Sequence, residues 1–255
     1  MIAPELLDRL ALLQDPWQHH APTLELPWAS PPAGQAAVVG RAPAGERPGL
    51  PLHGVHEWVL HGPIDAPPQH AFLSLVAAAC GRMAHAPPPS DGPDAEWCVA
   101  WIGAAVIPSP VVMRRHGLDL ARQVTVPGAR TPAERLWTFE EAARSGRCIA
   151  VIVDGSSWSA AMARRAQLAS SWQAGRKPVL ALAWRPQRDA LQRSACTTRW
   201  AVQPMADPAA HHARPAWSIQ AVRDRRGVAG HGPALHGSLH EPGGCGHARP
   251  WSIAS

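Results

Sequence analysis

The chain of 255 residues has no tyrosine, two phenylalanines and a single lysine, Lys177. Its positive charge is therefore almost all arginine, with a net charge of +5 and a pI near 9.5. That balance is compatible with DNA or an acidic partner and demands neither. The five cysteines, Cys80, Cys98, Cys148, Cys196 and Cys245, are odd in number, widely spaced and without a CxxC pair. A disulfide framework or a zinc site is disfavoured, and a reducing cytoplasm is the expected compartment. The sequence shows no charged-then-apolar leader and no apolar run of membrane-spanning length, so a soluble intracellular protein with no membrane partner is expected. What is plentiful is proline (28) and glycine (21), gathered towards the two ends, which leaves one domain of ordinary size between two loose arms. The twelve tryptophans are scattered singly, a pattern of core and edge packing rather than of a stacking platform.

The patterning divides the chain into an N-terminal helix over 1–15, a proline-rich linker over 16–48, a core domain over 49–204 and a disordered His/Pro/Gly-rich tail over 205–255. Leu6, Leu7, Leu10 and Leu13 share one face of the first helix. Inside the core, strand character over 53–61 is followed by a buried helix carrying Phe72, Leu73, Val76 and Cys80, and then by an apolar strand over 97–106. A short helix from Pro108 to Arg115 and a strand at 124–126 come next. Thr131, Pro132 and Glu134 spell a capped helix start, and Gly146 closes that helix. The run Cys148 to Val153 is apolar on both alternations and ends in Asp154, as a central parallel strand does when both faces are covered. A helix from Ser157 or Ser159 to Gly175 turns Trp158, Met162, Ala169 and Trp172 inward and Arg164 and Arg165 outward. Strands at 178–184 and 197–202 complete an α/β fold, a mostly parallel sheet flanked by helices.

In open α/β sheets ligands sit at the carboxyl ends of the strands, so Asp154 stands where a nucleotide-metal enzyme keeps an acid. The order of elements resembles the RecA-like recombinase core over roughly 49–202. G-L-D-L at Gly117–Leu120 resembles that family's G-V-D-L, and Arg144-Ser145-Gly146 leads into I-A-V-I-V-D-G as a similar segment leads into its Walker B aspartate. The resemblance implies a phosphate-binding loop at Gly62–Gln69, G-P-I-D-A-P-P-Q. Gly62 and Pro63 match its opening, but the second glycine falls on Pro67, the lysine on Pro68 and the hydroxyl residue on Gln69. Two consecutive prolines remove two N–H donors together with the charge. The family's water-activating glutamate falls on Ala105 and its phosphate-sensing polar residue on Trp184. No nucleotide hydrolysis, no catalytic residue and no cofactor are expected.

A shortened RecA-like core with a degenerate P-loop looks like the ImuA family, grouped with SulA-like proteins. Further echoes are G-V-H-E-W at Gly54–Trp58, R-R-A-Q-L-A at Arg164–Ala169 and S-A-C-T-T-R-W at Ser194–Trp200. The resemblance implies a DNA-damage-inducible accessory of translesion synthesis, binding an ImuB-type Y-family polymerase homologue and a DnaE-type polymerase complex, with RecA a further candidate partner; DNA contact is open, an indirect one being favoured over a direct one. The alternative it carries is a SulA-like division inhibitor that binds FtsZ. A DNA-dependent recombinase is disfavoured by the lost loop.

Each singled-out residue also has a plainer role. Asp154 could hold magnesium or cap the N–H groups of Ser156 and Ser157. His56 and Glu57 are neighbours on a strand, so they point to opposite faces and cannot act on one atom together. The pairs His19-His20 and His211-His212 and the tail histidines lack helical ligand spacing with a nearby acid. Arg164 and Arg165, with Arg176 and Lys177, form either a solvated face or a contact for an acidic partner or phosphate. Arg199-Trp200 could stack a base or pack at a sheet edge. The W-S-I element at Trp217 and again at Trp251 has the shape of a docking peptide in a polar tail.

Overall fold

The computed structural model describes residues 23–25, 49–51, 54–61, 72–73, 75–77, 79–80, 97–171, 179–205, 216–224 and 235–238. The expected N-terminal helix, the Gly62–Gln69 loop, Arg176, Lys177 and Trp251 lie outside the described residues.

Among the described residues, ten strands form two sheets. β1 (Thr23–Glu25) and β2 (Gly49–Pro51) make a small antiparallel pair. The large sheet contains β3 (Val55–Leu60), β4 (Cys98–Ile102), β5 (Gln123–Val126), β6 (Cys148–Asp154), β7 (Leu180–Arg185), β8 (Thr198–Met205), β9 (Ala216–Asp224) and β10 (Leu235–Ser238). Its order is β10-β9-β8-β3-β7-β6-β4-β5. The six strands from β8 to β5 are parallel, and β9 and β10 add to one side antiparallel. The expected α/β class with a mostly parallel sheet is the observed one.

Helices cover both faces. Phe72, Leu73, Leu75, Val76 and Ala79 are helical and pack with Met113 of α1 (Pro110–Arg115) against Trp58, Trp101, Ile152 and Leu182. The opposite face packs Leu136 and Phe139 of α2 (Pro132–Arg144) and Ala163 and Ala166 of α3 (Ala160–Ala169) against Val55, Val151, Val153 and Ala181. Strands buried on both faces must be apolar on both alternations, which is the pattern read from β6. The α2 start is as expected: the Glu134 N–H donates to Thr131 Oγ1 at 3.2 Å, and Glu134 Oε2 accepts from the Thr131 N–H at 2.9 Å. α3 is shorter than expected, ending at Ala169 rather than Gly175.

Two expectations need correction. The region from 205 onward was expected to be disordered, yet it contributes β9 and β10, so the sheet continues past residue 204. The reason lies in A-W-S-I-Q-A-V-R-D, a proline-free alternation that its Pro/Gly/His-rich flanks disguise. Likewise, the linker over 16–48 holds β1, which pairs with β2 through Leu24 opposite Leu50.

Candidate functional site at the carboxyl ends of the parallel strands

β4 leads to β5 over the face lined by α1, whereas β6 leads to β7 over the face lined by α3. Adjacent strands whose connections leave to opposite faces open a crevice at their carboxyl ends, the usual ligand position in such sheets. Here β4 ends at Gly103 and β6 at Asp154.

That crevice is closed by the protein's own side chains. Asp154 Oδ1 accepts the Ser156 N–H at 2.9 Å, and Oδ2 lies 3.6 Å from Arg135 Nη1. Arg135 is itself buried and clamps the turn after β6, donating to the Ser156 carbonyl (2.9 Å), Ser156 Oγ (3.2 Å) and the Arg130 carbonyl (2.7 Å). Gly103 has φ +91°, and a Cβ there would stand 2.8 Å from Asp154 Cβ and 3.0 Å from Arg135 Cδ. Only glycine fits this conformation and this approach. The Ser157 N–H donates to Asp189 Oδ2 at 2.8 Å, so the cap expected wholly from Asp154 is shared between two acids.

A magnesium ion needs carboxylate oxygens free to face it and waters around it. Asp154 offers one oxygen already in a backbone hydrogen bond and another beside a guanidinium, a donor set that does not fit the ion. Ala105 sits half-buried in a 3-10 turn against the core, and Trp184 is buried in the same cluster. Neither supplies the polar group that nucleotide chemistry requires at its position.

Beside the crevice lies a buried ionic network that local sequence reading missed. Glu57 and Arg185 are both fully buried, with Arg185 Nη1 donating to Glu57 Oε1 at 2.9 Å. Arg199 Nε donates to Glu57 Oε2 at 2.8 Å. Arg185 Nη2 donates to the Trp158 carbonyl (2.9 Å) and Gln192 Oε1 (2.6 Å) and lies 3.6 Å from Asp189 Oδ2. Two acids thus face two arginines, which satisfies the condition for buried charge. The network joins β3, β7, β8 and the turn that follows β7.

His56 and Glu57 do point apart: His56 Nδ1 is 2.8 Å from Thr198 Oγ1 on the other face. Arg199 is held by Glu57 and by the carbonyls of Ala190 (2.8 Å) and Gln192 (2.9 Å). Trp200 is buried, stacks on Trp58 at 6.1 Å between ring centroids, and donates to Thr198 Oγ1 at 2.7 Å. Both side chains are thus engaged within the sheet, on a strand that lies between β9 and β3 rather than at an edge. Arg164 and Arg165 face outward as expected, and Arg165 makes a two-pronged ion pair to the buried Glu140 at 2.7 and 3.0 Å. Trp217 lies within β9, opposite Pro204 and Gly237, and so belongs to the sheet rather than to a free tail.

Among the described residues, no group of three or more His, Cys, Asp and Glu side chains could hold a metal ion, and no helix is long and apolar enough to cross a membrane. No family model and no curated protein matches the chain. Among solved structures, the crystal structure of SulA from Pseudomonas aeruginosa is similar over 52% of this chain and 97% of that one, with 26% identity and a TM-score of 0.35. A superposition this loose assigns no role to any residue here.

Proposed function

We propose that the chain is a non-catalytic accessory protein of DNA-damage-inducible translesion synthesis, an ImuA-type component of SOS mutagenesis built on a degenerate RecA-like core. The observation that carries the non-catalytic part is the Asp154–Arg135 pair: the one acid that survives from the nucleotide-site pattern is neutralised and hydrogen-bonded within the chain. The order of sequence motifs supports the placement in translesion synthesis. In this reading the protein binds an ImuB-type Y-family polymerase homologue and a DnaE-type polymerase complex, with RecA as a further partner, and works in the cytoplasm without touching DNA directly. In this reading the outward Arg164, one of several exposed arginines, meets an acidic partner surface.

The decisive experiment has two arms. Purified full-length protein is assayed for MgATP turnover with and without single-stranded DNA, and is presented separately with the ImuB-type homologue and with FtsZ. Capture of the polymerase homologue, weakened by Arg164→Glu, together with no turnover is the expected result. Turnover abolished by Asp154→Asn would overturn the non-catalytic reading. Capture of FtsZ alone, with filamentation on expression, would replace the polymerase role with the SulA-like division inhibitor.

A further inference from the structure

Cys98 and Cys148 open the adjacent parallel strands β4 and β6 and stand opposite one another in register. Their Sγ atoms are 3.4 Å apart. The juxtaposition depends on a break in the ladder. Cys98 pairs with Cys148, but the next pair is Val99 with Ala150, so Ile149 is an extra residue on β6. Ile149 and Ala150 both pack into the cluster that contains Val99, while Cys148 packs on the opposite face and Cys98 against it. Without that bulge, strand alternation would turn the two sulfurs to opposite faces. Neighbouring strands lie about 4.8 Å apart, within the span of about 4.4–6.8 Å between Cα atoms that a disulfide bridges.

We propose that Cys98 and Cys148 form a two-electron oxidation site, closing to a disulfide that staples β4 to β6 when the protein meets a peroxide. Cys98 is the partly exposed member and Cys148 the buried one, so the oxidant reaches Cys98 first. The Cys98 thiolate attacks one peroxide oxygen, giving a sulfenic acid and releasing water once the leaving hydroxide is protonated. The Cys148 sulfur then attacks the sulfenic sulfur, its proton leaving with the hydroxyl group as a second water. In balance, two thiols and one hydrogen peroxide give one disulfide and two waters. Burial and the hydrogen bond with Cys98 push the Cys148 thiol up to about 12, so Cys148 is the less reactive of the two and Cys98 is the site of first oxidation.

The test treats the full native chain with hydrogen peroxide, blocks the remaining thiols by alkylation, and maps the linked peptides by mass spectrometry. The expected first product loses two of the five thiols and joins the Cys98 and Cys148 peptides, and a dithiol reductant reverses it. Cys98→Ser and Cys148→Ser should each abolish that species, with Cys148→Ala as the substitute should the serine variant not fold. Three outcomes would overturn the proposal: a linkage through Cys80 or Cys245 instead, oxidation of Cys98 to sulfinic acid with no linkage, or a linkage that forms as fast in urea-unfolded chain as in native protein. The wild-type peptide map decides among these without any variant.

Discussion

Arg185 and Glu57 meet across adjacent strands, 128 residues apart in the chain, at 2.9 Å and with neither side chain exposed to solvent. Dehydrating both is costly, and Arg199, Gln192 and the Trp158 carbonyl offset part of that cost by hydrogen bonding to the pair, while Arg185 Nε stays without a partner among the described residues.

Removing one member should therefore cost far more than removing the pair. Glu57→Ala strands two arginines and is expected to destabilise the protein by about 3–5 kcal/mol in urea unfolding. The apolar replacement Glu57→Leu with Arg185→Met should recover most of that loss. A double-mutant cycle with no coupling between the two positions would show that the pair contributes nothing specific.

Gly103→Ala is expected to destabilise by about 1–3 kcal/mol, because the backbone is left-handed and the new Cβ presses on Asp154 and Arg135. Asp154→Asn keeps the cap on Ser156 but removes the counter-charge of Arg135, with a loss of about 1–3 kcal/mol. Equal stability of Asp154→Asn and wild type would mean that the 3.6 Å pair is incidental.

The α2 capping box gives a pH dependence of known sign. Backbone N–H groups of Thr131 and Arg130 hold the Glu134 carboxyl below its usual value of 4.5. The unfolded chain binds that proton more tightly, so the contribution is present above the unfolded value and fades as pH falls through the folded one. A carbon-detected NMR titration should place Glu134 below the reference carboxylate range, and Glu134→Gln should flatten this part of the stability profile. Thr131→Ala should cost about 1 kcal/mol.

Thiol reactivity should follow burial. Burial drives the Cys196 thiol upward, with the Glu57 carboxylate adding to the effect, and burial pushes Cys80 to about 11. Time-resolved alkylation of native protein should leave Cys196 unmodified until the chain unfolds. Its early labelling would contradict the packing around Ser194 and Glu57.

The parallel sheet was legible because β6 and β7 are apolar on both alternations and their helices carry caps at readable spacing. Asp154 was legible as the acid at a strand end and as a cap on Ser156, but not as the partner of Arg135, whose approach from α2 has no local signature. Glu57, Arg185 and Arg199 stayed hidden as a cluster for the same reason: they are far apart in sequence, and only the β8-β3-β7 adjacency brings them together. The Cys98–Cys148 contact depends on one extra residue in a ladder, which strand alternation cannot reveal. β9 was masked by composition, since an average over the region is dominated by its Pro, Gly and His residues.

Because β9 lies along β8 from Thr198 to Met205, it acts as a sealing strip on the parallel sheet. A cut near residue 204 would shorten β8 itself and bare a row of unpaired N–H and C=O groups. Such an edge invites intermolecular strand pairing. Poor recovery of a C-terminally shortened protein would then report a raw sheet margin, and gain or loss of a binding partner in that background would say little about where the partner sits on the intact molecule.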